Sequence, residues 1–369
     1  MTMIERFCLG VACALLLQAC ASTLPSMREE SAVSNGYQER DIVYAGAGVP
    51  LGGTVTLPAG HAPRAAVVML TGSGPQDRDC IMAGFPMFRV LARALAERGI
   101  ASLRSDDRGT GKSGGSIAAA TLDDFARDAR AGLAQLRAQL GSAIPIGMLG
   151  HSEGGAVAPL AAAQSADVAF VVALAGPGVA VRANILAQTE LISRANGMPE
   201  PRIQREVAML QIIMNTLQAG IPVESLRPRF LEKTRADIAL MDSSMRRALG
   251  DGREHADILF RQQMEMMDTP WFRSLIAYDP AMVIPALACP VLALYGERDL
   301  QAPGPINAEG MRAALAVPAH AASSVALIPG INHLFQTATI GSPTEYPSLE
   351  KEFAPGIVER IAAWILQRE

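Results

Sequence analysis

One short stretch decides the fold: Ile144-Pro145-Ile146-Gly147-Met148-Leu149-Gly150-His151-Ser152-Glu153-Gly154-Gly155. Its composition predicts a buried strand, a very tight turn and then a helix of small residues over 156–163. Ser152 is the centre of a Gly-x-Ser-x-Gly pattern, whose glycines let the strand and the helix pass close together. Such a turn strains the serine backbone and projects its hydroxyl above the edge of the sheet. The pattern therefore makes Ser152 a candidate nucleophile.

A second match to the same pattern is present, Gly111-Lys112-Ser113-Gly114-Gly115. The next predicted helix begins several residues later, so Ser113 lies in a long loop and not at a strand-to-helix turn. This loop also comes close to a phosphate-binding sequence, but Asp106 occupies a position that needs glycine, and its charge would oppose a phosphate. We interpret the loop as structural, with Asp106, Asp107 and Arg108 pairing locally.

Composition limits the classes of protein that the chain can represent. Its 369 residues, half of them hydrophobic, suffice for one large α/β domain with an insertion or for two small domains. The formal net charge is −4, with no run of Lys or Arg, which argues against a nucleic-acid partner. The sequence has neither His-x-x-x-His nor Cys-x-x-Cys spacing, and we predict no metal site and no cofactor.

The N-terminus has the features of a targeting segment. Arg6 precedes an apolar run over 7–17, which is too short to span a bilayer but typical of a signal peptide. The run ends in Leu17-Gln18-Ala19-Cys20, which resembles the lipobox of bacterial lipoproteins. That resemblance implies a signal peptide over 1–19. The alternatives are an ordinary signal peptide with an incidental cysteine, or a buried first helix.

On the lipoprotein interpretation, Cys20 is acylated and anchors the protein to the periplasmic side of a bacterial membrane. Ala21 after the cysteine favours the outer membrane. Residues 20–37 are small and polar, and we expect them to form a flexible tether. The sequence gives no indication of oligomeric state.

Two cysteines, Cys80 and Cys289, follow the predicted tether. An oxidising periplasm would permit a disulfide between them. Two separate buried thiols are the favoured alternative, because Cys289 immediately precedes a predicted core strand.

The order of predicted elements indicates an α/β protein. Strands are predicted over 39–45, 51–57, 65–70, 100–103, 144–149, 168–174, 291–295 and 324–328. Helices are predicted over 85–98, 121–140, 156–163, 305–315 and 355–367. The alternation predicts a mostly parallel central sheet with helices on both faces. We expect this core to consist of two parts, 38–180 and 278–369.

Between these two parts, residues 181–277 show only helical periodicity and are rich in methionine. We interpret this segment as a helical cap inserted over the carboxyl edge of the sheet. Most of its methionines are expected to pack between helices, although some could line an apolar acyl pocket.

A serine nucleophile needs a base. The chain contains five histidines: His61, His151, His255, His320 and His333. His151 lies inside the elbow, where we expect its side chain to point away from Ser152. His333 follows the last predicted strand and comes after Asp299, which gives the order Ser, Asp, His that is typical of a serine at this kind of turn.

The base needs a carboxylate to orient it. Asp299 lies just past a predicted strand, between Ser152 and His333 in the chain. Asp279 is the main competitor, but it precedes a proline and fits a helix start better. Glu297 is a third candidate. We favour Asp299.

The chain resembles the α/β-hydrolase superfamily, most closely the bacterial carboxylesterases of the EstD-like group, which are related to the serine aminopeptidase and dienelactone hydrolase branches. The resemblance covers roughly residues 38–368 and implies the α/β-hydrolase fold. It is carried by the elbow over 150–155 and by Gly72-Ser73-Gly74-Pro75-Gln76-Asp77-Arg78-Asp79, Asp106-Asp107-Arg108-Gly109-Thr110-Gly111-Lys112-Ser113 and Asn332-His333-Leu334-Phe335.

The resemblance implies a triad of Ser152, His333 and Asp299. It also implies an oxyanion hole formed by the backbone amides of Glu153 and of Ser73 or Gly74.

The expected reaction is hydrolysis of small to medium acyl esters through an acyl-enzyme, without cofactor or metal. Thioesterase, lactonase and peptidase activities remain alternatives with the same triad. Two other classes are weaker alternatives: a non-catalytic lipoprotein binding module, and nucleotide binding through the loop over 109–115.

Overall fold

The computed structural model describes residues 36–368. The predicted signal peptide, Cys20 and most of the predicted tether lie outside these residues. Among the helices of the described part, none has the length and apolar character needed to cross a membrane.

Eight strands form one sheet, and a further pair forms a small hairpin. In chain order the strands are β1 Tyr37–Ala45, β2 Pro50–Pro58, β3 Ala65–Leu70, β4 Ile81–Met82, β5 Phe85–Pro86, β6 Ile100–Ser105, β7 Ile146–His151, β8 Val171–Leu174, β9 Val291–Gly296 and β10 Ser324–Ile328. The large sheet has the order β1-β2-β6-β3-β7-β8-β9-β10, while β4 pairs with β5. The β1–β2 and β2–β6 pairs are antiparallel. The remaining pairs of the large sheet, β6–β3, β3–β7, β7–β8, β8–β9 and β9–β10, are parallel. The mostly parallel sheet predicted from the sequence is confirmed.

Helices cover both faces of this sheet. They are α1 Met87–Ala96, α2 Leu122–Leu140, α3 Gly154–Ala163, α4 Val181–Ala195, α5 Glu200–Gln218, α6 Arg227–Ala239, α7 Ser243–Leu249, α8 Arg253–Met267, α9 Pro270–Ala277, α10 Pro280–Val283, α11 Gly304–Ala314 and α12 Ile357–Leu366. Alternate residues of β3 enter two separate hydrophobic clusters, as expected for a strand buried on both faces. One cluster contains α2 and α3, and the other contains α1 and α12.

Helix α1 starts later than the predicted helix over 85–98. Its first two predicted residues form β5 and pair with β4, so the hairpin takes them out of the helix. At the next helix, the Thr121 hydroxyl accepts from the Asp124 amide and the Asp124 carboxylate accepts in return, which completes a capping box for α2.

The carboxyl ends of the parallel strands collect the candidate residues at one edge of the sheet. Ser152 follows β7, Asp299 follows β9 and His333 follows β10. Helices α4 to α9 lie between β8 and β9 in the chain, in the segment 181–277, which we call the cap segment. Ligands of parallel α/β sheets bind at this edge, so the loops there form the candidate binding site.

Cys80 and Cys289 are both free and buried, so the alternative of two separate thiols holds. Burial raises the pKa of each thiol, which disfavours the reactive thiolate.

Candidate active site

Ser152 occupies a strained turn between β7 and α3. Its φ is 55°, in the left-handed region that residues other than glycine rarely adopt. The flanking glycines are sterically required: a Cβ on Gly150 would lie 1.9 Å from the Gly154 carbonyl oxygen, and one on Gly154 would lie 2.1 Å from the Leu70 oxygen. The Ser152 amide donates to Leu174 over 2.9 Å, which ties the turn to β8. The strand, turn and helix predicted around this serine are therefore present.

Asp299 and His333 form a buried acid–base pair. The distance from Asp299 Oδ2 to His333 Nδ1 is 2.8 Å, and both side chains are fully buried. The other carboxylate oxygen, Oδ1, accepts from the amides of Gln301 and Ala302, each over 2.8 Å. The carboxylate is thus fixed on both oxygens and holds the imidazole in one orientation. His333 Nε2 makes no hydrogen bond to any group within residues 36–368, so this nitrogen can accept a proton.

No hydrogen bond joins Ser152 Oγ to His333 Nε2 in the part of the chain that the structure describes. Hydrogen bonds of this kind are often long in structures without substrate and tighten in the complex. What links the two residues is His151, the residue before the serine. Its ring centre lies 4.6 Å from that of His333, and its Nε2 donates to the His333 carbonyl over 2.9 Å.

The role of His151 was missed in the sequence, where it was expected only to point away from the serine. Burial, and then the neighbouring His333 ring, lower the pKa of His151 to about 3. The imidazole is therefore neutral at physiological pH, with its proton on Nε2. A neutral ring can hold the loop that carries His333 without placing a positive charge beside the His333 imidazole.

Ser73 and Glu153, two of the predicted oxyanion residues, line one cavity together with Ser152. Ser73 Oγ donates to Glu153 Oε2 over 2.9 Å, and Trp271 Nε1 of the cap segment donates to the same oxygen over 2.9 Å. Burial raises the pKa of Glu153 to about 7. Within residues 36–368, the backbone amides of Ser73, Gly74 and Glu153 donate no hydrogen bond to another protein group. These amides can therefore serve a bound oxyanion.

A cavity of about 60 Å³ opens at Ser152. The core lines it with Ser73, Ser152, Glu153, Ala175, Pro177, Gln301 and Ala302, and the cap segment with Val181, Asn184, Ile185, Gln188 and Leu275. A larger cavity of about 390 Å³ adjoins it, with Gly74, Pro75 and Trp271 in its lining. Trp271, which lines the larger cavity, donates a hydrogen bond to Glu153, which lines the smaller one. The Trp271 side chain therefore lies at the boundary between the two cavities.

The expected local pairing of the loop over 104–115 holds only for part of its contacts: Asp106 accepts from the Lys112 amide over 2.9 Å, but the other side-chain partners of these residues lie outside the loop. Asp106 and Asp107 bind the loop over 71–79, and Arg108 binds Asp128 of α2. The physical reason is the order of strands, because β6 lies beside β3 in the sheet and the loops that follow them are neighbours.

The rejected candidates have other partners. Asp279 caps α10 by accepting from the Ala281 amide, which confirms it as a helix-start residue. Glu297 accepts from the Gly330 amide. Across the described chain, no group of three or more His, Cys, Asp or Glu side chains is arranged to hold a metal ion.

Sequence comparison finds two partial similarities to known hydrolases. A family model described as serine aminopeptidase, S33, matches residues 84–253. Esterase EstD of Thermotoga maritima is 38% identical over 72 residues, which are 20% of this chain and 16% of EstD. The chain thus spans about a sixth of the length of this curated relative.

Solved structures show the fold. The hypothetical protein PA2218 of Pseudomonas aeruginosa matches with a TM-score of 0.54 at 18% identity, covering 94% of this chain and 100% of its own. The Pyrococcus furiosus esterase PF2001 matches at 0.53 and 14% identity, covering 92% and 96%. Proline iminopeptidase of Mycobacterium smegmatis matches at 0.52 and 16% identity, covering 89% and 98%. The chain has the α/β-hydrolase fold, which confirms the fold that the resemblance implies.

Proposed function

We propose that this α/β-hydrolase is a serine carboxylesterase that hydrolyses esters of small to medium acyl groups, with Ser152 as nucleophile. The observation that carries the proposal is the buried Asp299–His333 pair, whose imidazole contacts His151, the residue before a serine held at φ 55°. A buried imidazole with one nitrogen bound to a carboxylate and the other unbonded is the arrangement that activates a serine.

In the proposed reaction, His333 Nε2 takes the proton of Ser152 as Oγ attacks the ester carbonyl. The amides of Glu153 and of Ser73 or Gly74 stabilise the negative oxygen of the tetrahedral intermediate. When the intermediate collapses, the imidazolium donates its proton to the leaving alcohol and the acyl group stays on Ser152.

Water completes the cycle. His333 removes a proton from a water molecule that attacks the acyl-enzyme, and the second tetrahedral intermediate releases the carboxylic acid as His333 returns the proton to Ser152 Oγ. Asp299 stabilises the imidazolium in both halves and stays ionised.

The lining of the cavity at Ser152 favours an ester substrate over a peptide substrate with a free amino terminus. A substrate with a free ammonium needs an anionic partner, and the one carboxylate that lines the described cavity is Glu153. Glu153 is buried and already accepts from Ser73 and Trp271. The small volume beside Ser152 favours short acyl groups.

The test is labelling with a fluorophosphonate probe, together with turnover of p-nitrophenyl esters of increasing acyl length. Wild type should be labelled and should prefer short acyl chains, and Ser152→Ala should lose both labelling and turnover. Ser113→Ala, at the second Gly-x-Ser-x-Gly match, is the matched control and should keep both. Absence of labelling in wild type, or labelling that survives Ser152→Ala, would refute the proposal.

We propose that the protein is a lipoprotein attached through Cys20 to the periplasmic side of a bacterial membrane, with the outer membrane favoured. The support is the apolar run that ends in Leu17-Gln18-Ala19-Cys20. Metabolic labelling with palmitate should mark the wild-type chain and not Cys20→Ser. Equal labelling of both chains would contradict lipidation at this residue.

A further inference from the structure

The segment over 71–76, which we call the oxyanion loop, carries the amides of Ser73 and Gly74 and is fastened at both ends by one side chain. Asp107 Oδ1 accepts from the Thr71 hydroxyl over 2.6 Å, and Asp107 Oδ2 accepts from the Gln76 amide over 2.8 Å. The Asp107 amide also donates to the Gln76 carbonyl over 3.1 Å. A single carboxylate on the neighbouring strand end thus sets the separation between the first and last residues of the loop.

A second carboxylate fastens the middle of the oxyanion loop. The Ser73 hydroxyl donates to Glu153, whose own amide is the other predicted oxyanion donor. On the opposite side, Gly72 packs against the elbow, since a Cβ added to it would lie 3.3 Å from Ser152 Cβ. The two halves of the oxyanion hole are therefore linked by a side-chain hydrogen bond as well as by packing.

Holding the loop in this way costs free energy. Asp107 and Glu153 line the same cavity of about 70 Å³. Burial raises the pKa of Asp107 well above its ordinary value, and the Glu153 carboxylate raises it further. Two carboxylates placed close together under partial burial are unfavourable for stability alone. Such an arrangement is typical of sites where geometry matters for function.

We propose that Asp107, assisted by Glu153, is a positioning residue that holds the oxyanion loop at the separation from Ser152 that the tetrahedral intermediate requires. The inference rests on the proposed esterase function. Asp107 is not a catalytic residue, because it touches Thr71 and Gln76 and not the reacting atoms. Its effect reaches the reaction only through the positions of the Ser73 and Gly74 amides.

The experiment compares Asp107→Asn with Asp128→Asn in the full chain. Asp128 lines the same cavity and binds Arg108, but makes no hydrogen bond to the oxyanion loop. An asparagine at 107 can accept from only one of the two donors. Toward Thr71 it presents an amide N–H, so the hydroxyl must turn and accept, and the charge-assisted bond at that end of the loop is lost. We expect kcat to fall about 10- to 100-fold with KM nearly unchanged, since displacing a transition-state contact by about 1 Å costs on this order.

Two further readouts separate positioning from general destabilisation. Phenylboronic acid forms a tetrahedral adduct with an active serine, and its inhibition constant should rise by about the same factor as kcat falls. Hydrogen–deuterium exchange of the peptide that contains residues 71–76 should be faster in Asp107→Asn than in wild type. Asp128→Asn should leave all three quantities near their wild-type values.

Equal kcat in wild type and Asp107→Asn, or unchanged exchange over 71–76, would overturn the inference. So would a loss of kcat in Asp128→Asn as large as that in Asp107→Asn. If Asp107→Asn does not fold, Thr71→Val removes the donor of the Thr71–Asp107 bond instead. The same changes in kcat, in the inhibition constant and in exchange are then expected of Thr71→Val. Failure of wild type to hydrolyse esters would refute the proposed function instead, and the exchange comparison would still decide whether Asp107 holds the loop.

Discussion

Glu153 makes stability depend on pH in a direction opposite to that of an ordinary carboxylate. Burial raises its pKa from 4.5 to about 7, against the hydrogen bonds from Ser73 and Trp271 that favour the charged form. The folded protein therefore retains this proton to a higher pH than the unfolded chain does. Its contribution to stability is full below the unfolded pKa and is lost as pH rises through about 7.

The substitution Glu153→Gln removes the titration and keeps the shape of the side chain. Each unit of pKa shift corresponds to about 1.4 kcal/mol, so the shift from 4.5 to about 7 amounts to on the order of 3 kcal/mol. Relative to wild type, the free energy of unfolding of Glu153→Gln should rise by that amount between pH 4.5 and pH 8. At about 2 °C per kcal/mol for a chain of this size, the melting temperatures should diverge by roughly 6 °C.

The assay is urea denaturation and thermal melting of both proteins at several pH values from 4.5 to 8. Other titrating groups are shared and cancel in the difference between the two curves, except Asp107. The Glu153 carboxylate raises the pKa of Asp107, so the substitution lowers that pKa and adds to the divergence in the same direction. Glu309→Gln, at an exposed position of α11, is the control and should follow wild type at every pH. Parallel pH curves for wild type and Glu153→Gln would refute the reasoning, because they would show that the burial of Glu153 carries no proton linkage.

Three further predictions concern other parts of the site. Asp299→Asn keeps the shape but loses the charge that stabilises the imidazolium, and kcat with a p-nitrophenyl ester should fall about 10³- to 10⁴-fold while the fold, measured by circular dichroism, is retained. Trp271→Phe removes the indole donor to Glu153 and should lower the free energy of unfolding by about 1–3 kcal/mol at pH 8, measured in urea, since a buried carboxylate loses a partner. Gly154→Ala should give no soluble folded protein on expression, because the added Cβ would lie 2.1 Å from a backbone oxygen of β3, whereas Gly197→Ala, with open space at that position, should express. Undiminished kcat in Asp299→Asn would contradict the first prediction, and wild-type stability of Trp271→Phe the second. Normal expression of Gly154→Ala would contradict the third.

The parts of the fold that could be predicted are those whose signal is local. Strand β3 matches its predicted bounds because its continuous apolar run is buried on both faces of the sheet. Strand β10 also matches. The sequence favoured Asp299 over Asp279 as the orienting carboxylate because a proline follows Asp279. In the structure Asp279 caps a helix, as that proline favours.

The errors arise where contacts depend on strand order. Asp107 lies 36 positions after Thr71 in the chain, and it reaches that residue because β6 pairs with β3. Hydrophobic periodicity predicts that both strands exist but does not predict which strands are neighbours. The contact between His151 and His333 spans 182 positions and joins the ends of β7 and β10, which are separated by two strands in the sheet, so no local signal in the sequence predicts it.

The strained turn explains why the residues on either side of Ser152 matter as much as the serine. At a tight turn, successive side chains leave the backbone in different directions, so three consecutive residues can reach three separate segments. His151 holds the carbonyl of His333, while Glu153 holds Ser73 of the oxyanion loop and Trp271 of the cap segment. The proposed base, nucleophile and oxyanion donors are thus all held by residues of one turn, and the close packing around its glycines leaves that turn no room to move. The same turn that exposes the serine therefore sets the relative positions of the groups that would act on its substrate.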